Sequence, residues 1–140
     1  MASSPFFISL ALVLISFCSL VASKSSGTAT FYTDYVPSAC DGGKNEGVMI
    51  AAASDAFWDG GAACGSFYKV SCVGGTNEGT PHPCSGSGPV TVKIVDYCPR
   101  CQGTIDLSEE AFAKIADTNA GVIRITYQRT WVETTHVFLA

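Results

Sequence analysis

The sequence is short of positive charge. Its 140 residues carry 8 Lys and Arg against 12 Asp and Glu, a formal net charge of −4, and no basic block occurs along it. Such a chain cannot line up cations against phosphates, so nucleic acid is not an expected partner. After one apolar run at the N-terminus there is no second run of spanning length, so no membrane span is expected in the mature form. Asn-x-Ser/Thr sites, internal repeats and charged tails are also missing. These absences leave a small, acidic, exported domain.

Export is read from the first 23 residues. Met1-Ala2-Ser3-Ser4-Pro5 leads into the apolar run Phe6 to Val21 and then Ala22-Ser23. Small residues closing a run this near the terminus predict cleavage after Ser23, with Val21 and Ser23 at the two signal-peptidase positions. The alternative, an uncleaved anchor, is disfavoured by the length of the run. Residues 1–23 are therefore read as a signal peptide and 24–140 as one domain, too short to divide into two. Cys18 leaves with the signal. Six cysteines remain, at 40, 64, 72, 84, 98 and 101, and an even count in a small secreted domain predicts three disulfides.

Short runs of β-formers separated by Gly, Pro, Ser and Asn predict a mostly β domain. The expected strands are Gly27 to Thr33, Ser66 to Cys72, Pro89 to Asp96 and Gly121 to Trp131. In Val90 to Val95 and Val122 to Tyr127 one register is apolar while the other carries Thr, Lys or Arg, the pattern of a half-buried strand. Residues 73–89 have no apolar period and predict a surface loop that Cys72 and Cys84 could staple. One helix is expected, Leu107 to Asp117, with Asp106 or Ser108 as its cap and Glu109 and Glu110 in its first turn. A shorter helical turn is expected around Ala51 to Phe57.

Several ordered motifs carry a resemblance. Gly27-Thr28-Ala29-Thr30-Phe31-Tyr32, Ser38-Ala39-Cys40-Asp41-Gly42, Gly61-Ala62-Ala63-Cys64-Gly65, Tyr68-Lys69-Val70-Ser71-Cys72 and Ile105-Asp106-Leu107-Ser108-Glu109-Glu110-Ala111-Phe112 together resemble the first domain of expansins. That domain is shared with family-45 endoglucanases and barwin-type proteins. The match is closest to plant natriuretic peptides and blight-associated proteins, the endoglucanase-45-like domain proteins. The resemblance implies a six-stranded double-psi β-barrel, secretion to the apoplast and a systemic role in water and solute homeostasis. It associates that role with the stretch Cys40 to Cys72. It also implies the bridges Cys40–Cys64 and Cys72–Cys84, leaving Cys98–Cys101 as the third pair. Expansins carry a Cys where this chain has Phe67, and a second domain that is not expected here, so extended binding to crystalline wall polymer should be weak.

Glycoside hydrolysis needs two carboxylates flanking the scissile bond. Asp106 aligns with the general acid of the endoglucanases, and Asp34, in Thr30-Phe31-Tyr32-Thr33-Asp34, with their base. Each has a plainer reading: Asp106 as a helix cap, Asp34 as the start of a turn before Pro37. Thr104 stands where the endoglucanases and expansins have His, which argues against hydrolysis. Thr30, Tyr32, Asp96 and Asp106 are the expected binding groove, with Tyr32 as a stacking platform and Asp96 alternatively a structural acceptor. A redox-active reading of Cys98-Pro99-Arg100-Cys101 is disfavoured because no helix starts at the motif. Zinc held by these cysteines with His82 or His136 is disfavoured for want of a second close ligand pair. No cofactor or metal is expected. The expected function is a monomeric, non-enzymatic homeostasis protein acting through a plasma-membrane receptor. The alternatives are a wall-polysaccharide-binding module and a weak endoglucanase.

Overall fold

A computed structural model describes residues 23–131. The apolar run of the expected signal peptide, Cys18 and His136 lie outside the described residues. Six strands form a closed barrel: β1 (Ser25–Tyr32), β2 (Ile50–Ser54), β3 (Phe67–Gly75), β4 (Val90–Cys98), β5 (Ile105–Ser108) and β6 (Ile123–Thr130). Their order around the ring is β1-β5-β2-β4-β3-β6, and β6 pairs with β1 to close it. Two pairs, β1 with β5 and β2 with β4, are parallel; the other four are antiparallel. Closure leaves none of the six described strands with a free edge to template association. Among the described residues no helix is long and apolar enough to cross a membrane.

The core is built from alternate strand positions. Ala29, Val70, Val92, Ile94, Ile105, Leu107, Ile123 and Ile125 are all buried in one cluster. One helix, α1 (Glu109–Ile115), adds Ala111, Phe112 and Ile115 to it. The Phe112 ring packs 5.0 Å from that of Phe31, tying the helix to β1. Burying Phe112 completely is worth roughly 1.5–3 kcal/mol.

Four expected strands are present with shifted ends, while two elements differ in kind. Ala51 to Phe57, expected as a helical turn, overlaps β2, whose five residues are all buried between β4 and β5. Alanine favours helix in isolation, but here the ring pairs both edges of the segment, and tertiary pairing outweighs propensity. Asp106 and Leu107, expected to cap or begin the helix, belong to β5. The cap is Ser108, whose Oγ accepts from the Ala111 N–H at 3.1 Å and donates to the Val48 carbonyl.

Two of the three expected bridges are formed, Cys40–Cys64 and Cys72–Cys84. Cys98 and Cys101, the expected third pair, lie close together and are unbonded in this structure. Arg100 between them has φ 77°, and the turn directs the Cys101 thiol onto the Cys98 carbonyl at 3.2 Å rather than into a sulfur–sulfur bond. The stapled loop is not free-standing. The Ser85 N–H reaches the Ile115 carbonyl at 2.9 Å and the Ser85 Oγ reaches the Lys114 carbonyl at 3.0 Å, satisfying acceptors that the end of α1 would otherwise leave open.

Replacing Ser108 by Ala removes both the cap of α1 and the tie to Val48, and should lower the free energy of unfolding by about 2 kcal/mol. Denaturant unfolding that shows no loss would remove the cap from this account.

Candidate functional site

Strand register sets one row of side chains across four strands. Asp96 on β4 pairs with Ala52 on β2, Ala52 with Asp106 on β5, and Asp106 with Thr30 on β1. Neighbours of Ala52 and Asp106 along their strands, Ala51, Ala53, Ile105 and Leu107, point into the core, so the row faces outward. A bulge between Ala51 and Ala52 carries the β4 register from Ile94 directly to Asp96, and this brings Asp96 into the row. Ala52 is the floor between the two carboxylates, 3% exposed and with only a methyl group to occupy the space.

The Thr30 hydroxyl donates to Asp106 Oδ1 at 2.7 Å. Burial raises the Asp106 carboxyl above the usual carboxylate range and nearby Asp96 adds to the rise, while the Thr30 hydroxyl and the adjacent Cys98 thiol partly offset it. Asp96 Oδ1 accepts from the N–H groups of Ala39 and Tyr97, both at 2.8 Å. Asp96 therefore both lines the groove and holds the loop before Cys40 against β4.

Tyr32 lies two residues beyond Thr30 on the same face of β1. Its hydroxyl is buried and has no hydrogen-bond partner among the described residues. Burial, then the carboxylates of Asp96 and Asp106, push its ionisation far above the ordinary tyrosine range, so it is a neutral donor at any physiological pH. The Tyr35 ring meets Tyr32 edge-on, with centroids 5.3 Å apart and planes at 86°. Tyr35 is itself fixed to the start of α1: its hydroxyl donates to Glu110 Oε2 and accepts from the Glu109 N–H at 3.2 Å.

The structure thus brings Thr30, Asp96 and Asp106 into one row, with Tyr32 beside them. Asp34 does not join them. It is exposed in the turn after β1, and the carboxylates acting on Tyr32 are Asp96 and Asp106. Thr104 is used structurally, its Oγ1 accepting from the Thr28 N–H at 3.2 Å, and an added Cβ on Gly27 would come within 2.4 Å of the same oxygen. Sequence reading missed Ala52, Tyr35 and the position of Cys98. The last was readable, since Cys98 follows Asp96 by two residues and strand alternation puts both on one face. Among the described residues no group of three His, Cys, Asp or Glu is placed to hold a metal ion.

Comparison with known proteins agrees with this architecture. A family model described as lytic transglycolase matches residues 50–127. An EG45-like domain containing protein from Citrus jambhiri is 61% identical over 113 residues, covering 79% of this chain and 86% of the relative. A putative EG45-like domain containing protein 1 from Arabidopsis thaliana is 57% identical over 102 residues, covering 72% and 80%. Among solved structures, the expansin of Clavibacter michiganensis superposes with a TM-score of 0.62 at 30% identity, over 79% of this chain and 52% of that one. A mutant of the same expansin in complex with cellohexaose gives a TM-score of 0.60 at 29% identity, over 78% and 51%. Expansin-B4 of Arabidopsis thaliana is 38% identical over 94 residues, and this chain spans 33% of its length. With a ring of six strands, ordered motifs and relatives matched over most of their length, the chain belongs to the EG45-like domain proteins, whose double-psi β-barrel is related to the first domain of expansins.

Proposed function

We propose that the protein is a secreted, non-hydrolytic module that binds neutral wall polysaccharide along the row Asp96, Ala52, Asp106 and Thr30. The observation that carries this reading is the Tyr32 hydroxyl, buried and unpartnered beside two carboxylates. An unsatisfied buried donor costs about 1–3 kcal/mol, and a ligand acceptor placed in the groove recovers that cost. A sugar hydroxyl both accepts and donates, so one hydroxyl can accept a hydrogen bond from the Tyr32 hydroxyl and donate one to Asp106. A uronate would instead set a third negative charge between Asp96 and Asp106, which disfavours acidic polymers. The cellohexaose complex of the Clavibacter expansin supports a neutral glucan as the first probe.

Hydrolysis is disfavoured by what the second carboxylate is doing. The backbones of Asp96 and Asp106 are two strand spacings apart, about 10 Å, near the separation that inverting enzymes use. Asp96 Oδ1, however, is occupied by two backbone N–H groups, and Asp34 is absent from the row. Secretion is supported by the two disulfides, which form in an oxidising compartment. A second reading is the role in water and solute homeostasis through a plasma-membrane receptor. It is favoured by the Cys40–Cys64 bridge, which braces the stretch to which the resemblance assigns that role. Cellohexaose titration by calorimetry tests the first reading directly, with saturable heat expected and no reducing sugar released on prolonged incubation.

Tyr32→Phe should separate binding from stability. Deleting an unpaired buried hydroxyl should leave the fold as stable or up to about 1 kcal/mol more stable, while cellohexaose affinity falls roughly five- to tenfold. A destabilised Phe variant would mean that the hydroxyl has a partner in the free protein.

Asp106→Asn tests the carboxylate by its pH dependence. A carboxyl whose folded ionisation lies above its unfolded one stabilises the fold below the unfolded pKa, near pH 4, and that contribution is lost as pH rises through the folded value. The Asn variant keeps an acceptor for Thr30 and escapes the loss. Its melting temperature should therefore match or exceed wild type at pH 7, and the difference should shrink towards about pH 3. A variant melting several degrees lower at pH 7 would show that the ionised carboxylate holds the fold together.

A further inference from the structure

One edge of the groove is not used by polysaccharide binding: the two thiols. Cys98 closes β4 on the groove face, paired in register with Ser54, and Cys101 returns towards it through a turn in which Arg100 has φ 77°. Both are partly exposed. The Cys101 sulfur sits 3.2 Å from the Cys98 carbonyl and 3.5 Å from that of Gly103, so the pair is held close while unbonded. The barrel does not depend on joining them. The other two bridges link residues 24 and 12 apart in sequence, whereas only Pro99 and Arg100 separate these two, so a bridge here would remove little freedom from the unfolded chain. An exposed disulfide that contributes little to folding is a labile one.

We infer that Cys98 and Cys101 form a reversible thiol–disulfide pair at the edge of the groove. A small disulfide such as glutathione disulfide is the oxidant. The thiolate of one cysteine displaces one glutathione thiolate to give a mixed disulfide, and the thiolate of the other cysteine then displaces the second. One sulfur–sulfur bond forms in the protein as one is broken in the oxidant. Two electrons pass to the oxidant, and the two thiol protons end on the two released glutathiones.

The pair is a slow switch and not a thioredoxin-type catalyst. Burial and its partner Cys101 push the Cys98 thiol up to about 12, and burial raises Cys101 as well, so thiolate is scarce at neutral pH. Closure by glutathione disulfide should accelerate about tenfold per pH unit between roughly pH 7 and 9.

The test needs no glycan, so its outcome is independent of the polysaccharide reading. Alkylation with iodoacetamide in denaturant, without reductant, should label two cysteines in the purified protein, mapped to Cys98 and Cys101. Glutathione disulfide at about pH 9 should abolish both labels, and dithiothreitol mild enough to spare the other two bridges should restore them. Cys98→Ser cannot bridge, and glutathione disulfide should leave it as a mixed disulfide at Cys101, read by intact mass, where the unmodified sequence loses two protons and keeps no glutathione. Failure to recover the thiols without unfolding would make the bridge purely structural and overturn the inference.

Discussion

The five buried residues of β2 are the constraint on which the barrel and its groove both depend. This strand runs parallel to β4 and antiparallel to β5, and so joins the two parts of the ring. Its inward side chains, Ala51 and Ala53, let the walls of a small barrel close around Val, Ile and Leu from the other strands without overpacking. Its outward Ala52 leaves the space between Asp96 and Asp106 open. A larger residue at either kind of position would fill the interior or fill the groove. One run of alanines thus serves the packing and the site together.

The groove stores an unfavourable arrangement that the closed barrel can sustain. Two carboxylates share one face with a buried phenol that has no partner among the described residues, and burial keeps Asp106 reluctant to ionise. Such features are tolerated where the surrounding backbone fixes them, and here each member of the row lies on a strand paired on both sides. Tyr35 adds a brace from outside the sheet, linking the turn after β1 to the start of α1 and resting on the Tyr32 ring. The position of Tyr32 therefore follows from packing and not from a bond of its own. This is consistent with a hydroxyl held ready for a ligand.

Local pattern made much of this readable in advance, and long-range pairing accounts for the rest. The alternation in β4 and β6 marked those strands because one face of each is core and the other is not. β2 has no alternation to read, since all five residues are buried, and its alanines point towards helix until the neighbouring strands are known. β5 was hidden for a different reason. Ile105-Asp106-Leu107-Ser108 runs directly into α1, and a cap candidate at either Asp106 or Ser108 fits the same sequence; only the pairing with β1 and β2 decides for Ser108. Thr30, Tyr32 and Asp106 are legible from family motifs and Asp96 from its place at the end of a strand, whereas the bulge that aligns Asp96 with Asp106 leaves no mark in the sequence. The open state of Cys98 and Cys101 was likewise beyond a count of cysteines, because it rests on the backbone of one turn.

The central claim is that the outward row across β4, β2, β5 and β1 is where a neutral glucan binds. Titration of the isotopically labelled protein with cellohexaose, followed by amide chemical shifts, tests it most directly. Shifts concentrated at Thr30 to Tyr32, Ala52, Asp96 to Cys98 and Asp106 are predicted. Saturable shifts confined to the outer faces of β3 and β6, or no shifts at millimolar ligand, would contradict it.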